Sequence, residues 1–109
     1  MFDIIAAESS FVPKRQVSPS WLGRQHLDVF IEELSLAFEY NGEQHYRPIE
    51  FFGGQEQFNK QCELDQRKQK LCDTHGVELI VIPFDMAHSE QVDTIKRAIL
   101  QKNLDLARE

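Results

Sequence analysis

The chain has 109 residues, of which 41% are hydrophobic and 28% are charged, and its formal net charge is -6. This length supports one domain that buries roughly 65% of its unfolded surface, and it excludes a second independent core. The acidic balance excludes a protein that holds nucleic acid by overall electrostatic attraction, so any such contact has to come from specific residues.

The sequence carries no export signal and no membrane span. No apolar run approaches the roughly 20 residues of a membrane helix, and we therefore expect a cytoplasmic protein with no membrane partner. Its two cysteines, Cys62 and Cys72, fall in one predicted helix, where ten residues span about 15 Å. That separation is beyond disulfide reach, so two reduced thiols are expected, and without a Cys-x-x-Cys pair no zinc site is predicted.

The first 24 residues are predicted to hold one short helix and an irregular crossing. Apolar residues recur at helical spacing within residues 1–9. Prolines, serines and a glycine interrupt residues 10–24, where one short strand near Gln16 is the regular element we expect.

Residues 26–40 alternate between apolar and polar side chains, which predicts an antiparallel hairpin with its turn between Glu33 and Leu34. A slip of one residue would turn half of the apolar set outward, so the pattern specifies the register. One face then carries Leu27, Val29, Ile31, Leu36, Phe38 and Tyr40, and the other face carries Asp28, Phe30, Ala37 and Glu39.

The second half of the chain predicts a helix over residues 55–75, a strand covered on both faces over residues 77–82, and a last helix capped by Ser89. The order helix, strand, strand, helix, strand, helix indicates a single α/β domain over residues 1–109, complete in itself or part of a longer protein. The last helix presents one apolar side, made of Val92, Ile95, Ile99 and Leu106.

The predicted register places two acids, Asp28 and Glu39, directly across from each other with Cβ atoms about 5 Å apart. Two like charges in this position repel and destabilise a sheet. A divalent cation between them turns the repulsion into coordination, and hard oxygen ligands suit magnesium. The alternative is an exposed edge hairpin with two solvated acids.

Two further charged residues, Asp65 and Lys68, project from the middle of the apolar arc of the 55–75 helix. A charge on the buried side of a helix needs a partner. Lys68 can meet the carboxylate pair, and Asp65 can join a metal or orient a neighbour. The alternative is an ion pair between Asp65 and Lys68 at i,i+3.

The segment after Glu39 supplies candidate catalytic side chains. Asn41-Gly42 predicts a sharp turn with a positive φ, which would bring Gln44 and His45 back beside Glu39. Histidine is the side chain that ordinarily changes charge near neutral pH, so His45 could act as a general base; a structural histidine is the alternative.

An aromatic pair, Phe51-Phe52, is predicted to wedge into a base stack or to be buried against the last helix. Four basic residues are candidates for contacts with nucleic acid, although solvated surface is the default interpretation of such residues: Lys14, Arg15, Arg24 and Arg47.

Three blocks of this sequence resemble the PD-(D/E)XK nuclease superfamily, in particular its very-short-patch-repair-like endonucleases and the related phage and homing nucleases. The likeness runs from about Glu8 to Pro83. It implies a restriction-endonuclease-like three-layer core, in which helices flank a small mixed sheet made of the antiparallel hairpin and a further buried strand. The blocks are Leu27-Asp28-Val29, Phe38-Glu39-Tyr40-Asn41-Gly42-Glu43-Gln44-His45-Tyr46 and Asp65-Gln66-Arg67-Lys68.

The resemblance implies an endonuclease that hydrolyses phosphodiester bonds in DNA with Mg²⁺ or Mn²⁺. Asp28, with Glu39 beside it, would bind the metal, and His45 would assist hydrolysis. Asp65 would complete the acidic set, with Glu8 as an accessory member. DNA is the expected partner, and a homodimer is left open.

The chain departs from the superfamily pattern at one position. The usual lysine two residues after the second acid is replaced by Asn41. Lys68 could supply the charge from the helix, Gln44 could orient water instead, or the site is inactive. An inactive module that binds nucleic acid or a protein partner is therefore an alternative function, and a purely structural interaction protein is a third.

Overall fold

The computed structural model describes residues 1–108, which form a four-stranded mixed sheet with helices on both faces. Short 3-10 turns connect several of the elements. In chain order the helices and strands are α1 (Phe2–Glu8), β1 (Lys14–Val17), β2 (Leu27–Ile31), β3 (Leu36–Asn41), α2 (Gly54–Thr74), β4 (Glu78–Pro83) and α3 (His88–Ala107).

The sheet has the order β1-β2-β3-β4, with β1, β2 and β3 antiparallel and β4 parallel to β3. The predicted hairpin register is confirmed, because Val29 pairs with Phe38 and Ile31 pairs with Leu36. Ser35 closes the turn in a left-handed conformation. The short strand expected near Gln16 is present as β1, at the edge of the sheet.

Two apolar clusters lie on opposite faces of the sheet and position its helices. On one face, Val29 and Phe38 pack with Ile5 of α1 and with Ile95 and Ile99 of α3. On the other face, Ala37 packs with Cys72 of α2 and with the neighbouring segment at Leu22. The sheet is therefore a middle layer between α1 with α3 and α2.

The predicted composition of the apolar hairpin face is wrong at one position, Leu27. Leu27 packs in the cluster on the α2 side, because it begins β2 directly after the turn that carries Leu22. Tyr40 is 47% exposed, near the end of β3. The opposite face is as predicted for Ala37, which is buried toward α2.

The strand β4 is covered on both faces, as predicted, since Leu79 packs toward the α2 side and Ile80 packs toward α1 and α3. The prediction that Ser89 caps the last helix is wrong, because Ala87 occupies the N-cap and the hydroxyl makes no capping bond. Leu106 is 43% exposed. The buried residues of α3 lie earlier in the helix, at Ile95 and Ile99.

The thiols of Cys62 and Cys72 are not joined in a disulfide, and burial raises the pKa of the Cys72 thiol. No helix within residues 1–108 is long and apolar enough to cross a membrane.

Candidate active site

The acids Asp28 and Glu39 lie side by side on adjacent strands, one residue beyond the paired Val29 and Phe38. The backbone nitrogen of Asp28 donates to Oε1 of Glu39 at 3.2 Å. The backbone nitrogen of Tyr40 donates to Oδ2 of Asp28 at 3.0 Å. Each carboxylate is thus bonded to the backbone of the opposite strand, which confirms that the two acids face each other.

Lys68 reaches Glu39 from α2, as its helical position predicted. Its Nζ lies 2.9 Å from Oε1 of Glu39, and the lysine and glutamate side chains are only 16% and 9% exposed. The same ammonium donates to the carbonyl oxygen of His26 at 2.6 Å. A buried ammonium with two oxygen acceptors is held in one position, because releasing it would leave a buried carboxylate unpaired.

Burial raises the pKa of Glu39 from 4.5 to about 7. The hydrogen bond and charge of Lys68 lower this pKa, and the neighbouring Asp28 raises it. Burial wins because the carboxyl group is 7% exposed and loses most of its hydration. With a pKa of about 7, the carboxyl group of Glu39 is partly protonated near neutral pH.

A second polar pair in the cleft joins His45 to Asp65. Nδ1 of His45 lies 2.9 Å from Oδ2 of Asp65, and Nε2 of Gln61 donates to Oδ1 of the same carboxylate at 2.9 Å. The alternative pair between Asp65 and Lys68 is therefore wrong, since the two side chains have different partners. An ionised Asp65 that accepts the Nδ1 proton fixes the ring and leaves Nε2 as an acceptor.

The turn after β3 differs from its prediction. Gly42 has a φ of -71°, so the positive φ expected there is wrong. The glycine serves a close approach instead, because a Cβ at Gly42 would lie 2.6 Å from Oε1 of Gln44. Gln44 lies in a neighbouring pocket and not in the cleft beside Glu39, whereas His45 does reach the cleft.

These side chains line one open cleft of about 360 Å³ between the sheet and α2. Of the predicted site residues, the cleft brings together Asp28, Glu39, His45, Asp65, Lys68 and Arg24.

Among the polar residues of the cleft that the sequence did not predict, His26 and Gln61 contact predicted site residues. Nε2 of His26 lies 3.5 Å from Oδ1 of Asp28. Gln61 stands four residues before Asp65, and this helical spacing is the signal that could have identified it. His26 carries no such signal, because its position depends on how the chain enters β2.

The remaining predicted residues lie outside the cleft. Glu8 belongs to α1, on the other face of the sheet, and its carboxylate pairs with Lys96 at 3.6 Å. Three of the four basic candidates make other contacts: Lys14 pairs with Glu32, Arg15 lies over the Phe2 ring, and Arg47 pairs with Glu43.

The aromatic pair is exposed, Phe51 by 89% and Phe52 by 49%, which rules out the predicted alternative of burial against the last helix.

Of the three carboxylates in the cleft, Asp65 is paired with His45, and Asp28 and Glu39 remain as possible ligands of a metal ion. Residues 1–108 contain no group of three or more His, Cys, Asp or Glu side chains arranged as a metal cage. Magnesium commonly takes only one or two protein carboxylates and fills its shell with water and substrate phosphate. Burial is the main cause of the raised pKa of Glu39, and repulsion by Asp28 adds to it; a cation would relieve that repulsion, so Asp28 and Glu39 fit this looser mode of binding.

The chain is similar to proteins of three viruses. It is 34% identical to "Uncharacterized protein 094L" of Frog virus 3 over 76 residues, which are 68% of this chain and 49% of that protein. It is 37% identical over 59 residues to "Uncharacterized protein 307L" of Invertebrate iridescent virus 6, covering 53% of this chain and 30% of that protein. With "Uncharacterized protein 033L" of Invertebrate iridescent virus 3 it shares 32% identity over 91 residues, 76% of this chain and 47% of that protein.

The chain thus spans half or less of the length of these viral relatives. No family model matches the chain, and no solved structure matches it.

Proposed function

We propose that this chain is a metal-dependent endonuclease domain of the PD-(D/E)XK superfamily that hydrolyses phosphodiester bonds in DNA. The observation that carries the proposal is the cross-strand pair of Asp28 and Glu39, which share a cleft with Lys68 and with the His45–Asp65 pair. Two acids, a buried ammonium and an oriented imidazole are the groups that phosphodiester hydrolysis requires.

The architecture supports the same proposal. The antiparallel hairpin of β2 and β3 pairs with the parallel strand β4, and helices cover both faces of this sheet. This is the arrangement that the resemblance to restriction-endonuclease-like proteins implied. The Asp28 and Glu39 positions fall at the hairpin, where that resemblance places the metal-binding acids.

Five residues of the cleft have a role in this mechanism. Asp28 and Glu39 would hold Mg²⁺ or Mn²⁺, which when bound neutralises phosphate charge and lowers the pKa of coordinated water. Lys68 places a fixed positive charge beside Glu39, where it can stabilise negative charge that develops on the phosphate. His45, oriented by Asp65, accepts the proton of the attacking water through Nε2.

DNA would be held by local contacts, since the chain as a whole is acidic. Arg24 lines the cleft and is the one basic candidate placed beside the two acids. Arg47 lines the adjoining pocket and pairs with Glu43. We therefore assign the phosphate contact at the site to Arg24.

The test is nicking of supercoiled plasmid by the purified chain in Mg²⁺, in Mn²⁺ and in EDTA. We expect metal-dependent nicking that Asp28→Asn and Glu39→Gln each abolish. Asp73→Asn is the control, because Asp73 is an exposed acid on α2 that accepts from Gln69 in the same way as Asp65 accepts from Gln61. Nicking that persists in both cleft variants, or that EDTA does not suppress, would contradict the proposal.

A second candidate function is a nuclease-fold module that binds nucleic acid or a protein partner without cleaving. It is favoured by Asn41 in the place of the usual lysine and by the engagement of the third cleft carboxylate, Asp65, with His45. Under this alternative the chain binds DNA in the presence of metal, no nicks form, and Asp28→Asn leaves the affinity unchanged.

A further inference from the structure

Next to the cleft lies a second, smaller pocket of about 180 Å³, well below the roughly 300–1,000 Å³ of pockets for drug-sized ligands. Its wall combines side-chain amides, aromatic rings and one aliphatic residue. The residues that line it are Gln44, Arg47, Ile49, Phe52, Gly54, Gln57, Phe58 and Gln61.

The pocket and the cleft adjoin at Gln61, which lines both. Nε2 of Gln61 donates to Asp65 on the cleft side, so its carbonyl oxygen remains available as an acceptor. A ligand with one part in the cleft can therefore extend into the pocket past Gln61.

The charge of the pocket does not favour a phosphate as its occupant. Arg47 is its one cationic residue, and the guanidinium is already paired with the carboxylate of Glu43. The three glutamine side chains that remain are neutral and offer both donors and acceptors. Together with the rings of Phe52 and Phe58, they suit a flat heteroaromatic ring with hydrogen-bonding edges.

We propose that this pocket binds one nucleobase of the strand whose phosphate lies in the cleft. The base stacks on Phe52 and its edge bonds to the amides of Gln44, Gln57 and Gln61. The choice of nucleic acid as ligand rests on the proposed nuclease function, but the pocket binds its base whether or not the cleft cleaves.

The packing of Gln44 over Gly42 indicates that the side-chain amide of Gln44 is positioned before a ligand binds. Because a Cβ at Gly42 would lie 2.6 Å from Oε1 of Gln44, the amide is seated directly against the glycine. Gly42→Ala would displace this amide without removing it, since the backbone φ of -71° suits alanine.

The test measures binding in EDTA, so that it is independent of cleavage. The probes are fluorescein-labelled hexadeoxynucleotides made of a single base type, one for each of the four bases, and an abasic hexamer with the same number of phosphates. Fluorescence anisotropy gives the dissociation constant of each. We expect at least one base type to bind roughly tenfold more tightly than the abasic hexamer, which is within the range for one stacked base.

Matched variants locate this preference. Phe52→Ala and Gln57→Ala should each reduce the ratio between the base-containing and abasic hexamers by roughly fivefold or more. Gln66→Ala is the control matched to Gln57→Ala, since Gln66 is an exposed glutamine of the same helix outside the pocket, and it should leave the ratio unchanged. Gly42→Ala should change which base is preferred.

The proposal that this pocket binds a base is contradicted if the abasic and base-containing hexamers bind equally well. It is also contradicted if no hexamer binds. An equal loss of the ratio in the Gln57 and Gln66 variants contradicts it as well. Plasmid nicking in Mg²⁺ is scored separately. A base preference without nicking therefore contradicts the proposed cleavage but supports the base-binding pocket. Nicking without a base preference supports the proposed cleavage but contradicts the base-binding pocket.

Discussion

Lys68 and Glu39 form an ion pair between α2 and β3, with 2.9 Å between Nζ and Oε1, in a chain that has Asn41 where the PD-(D/E)XK pattern has lysine. In the proposed endonuclease, this ammonium of α2 would take the place of the strand lysine of the PD-(D/E)XK pattern. This replacement is the basis of the first prediction.

Lys68→Ala should lower the cleavage rate by about 10²–10³, the usual loss when one stabilising group is removed from a transition state. DNA affinity should change little, because Lys68 is mostly buried and already paired. The measurement is single-turnover cleavage of a labelled duplex, with affinity measured separately in EDTA and melting curves to confirm folding.

The control for this variant is Lys70→Ala, since Lys70 is exposed on the same helix. If both lysine variants cleave equally well, Lys68 only neutralises Glu39 and has no part in catalysis.

His45 and Asp65 should behave as one catalytic unit. His45→Ala should reduce the rate by about 10²–10⁴, as expected for loss of a general base. Asp65→Asn should reduce it less, because the ring remains but loses its orienting charge. The double variant should be no slower than His45→Ala alone, a non-additivity that indicates direct coupling.

Asp73→Asn is the matched control for Asp65, because it removes an acid that accepts from a glutamine four residues earlier but has no histidine partner. Rate losses for His45 and Asp65 that multiply in the double variant would show that the two residues act separately.

Magnesium or manganese should stabilise the fold, because a cation relieves the repulsion between Asp28 and Glu39. At ten times the dissociation constant the gain in unfolding free energy is about 1.4 kcal/mol. Thermal melts with and without metal measure it. Asp28→Asn should lose this gain and should be no less stable than the parent chain in EDTA; a metal response retained by Asp28→Asn would place the cation elsewhere.

The stability of the metal-free protein should fall as the pH rises from 4.5 to about 7. Folded Glu39 keeps its proton up to about pH 7, whereas the unfolded chain releases it near pH 4.5. Between pH 4.5 and about 7 the folded state therefore binds more protons than the unfolded state. The free energy of unfolding falls as the pH rises through this interval. The loss is on the order of 1–3 kcal/mol.

Urea unfolding at several pH values, compared between the parent chain and Glu39→Gln, isolates this contribution. Glutamine cannot ionise but can still accept a hydrogen bond from Lys68, so the stability of the variant relative to the parent should rise with pH. If the unfolding free energies of the two proteins change in parallel with pH, folding does not raise the pKa of Glu39.

The sequence by itself determined the local features of this protein. The period-two alternation of apolar residues specified the hairpin register, because a one-residue slip would expose half of a buried face, and that register placed Asp28 beside Glu39. The helical period likewise put Lys68 on the side of α2 that faces the sheet, and its contact with Glu39 follows.

The tertiary structure alone decided which distant groups meet. His45 pairs with Asp65, Gln44 turns into the neighbouring pocket, and Glu8 lies with Lys96 on the far face of the sheet. These placements depend on the path of the turn after β3 and on how the helices pack across the sheet. Many weak, long-range contacts fix both, and no short sequence period encodes them.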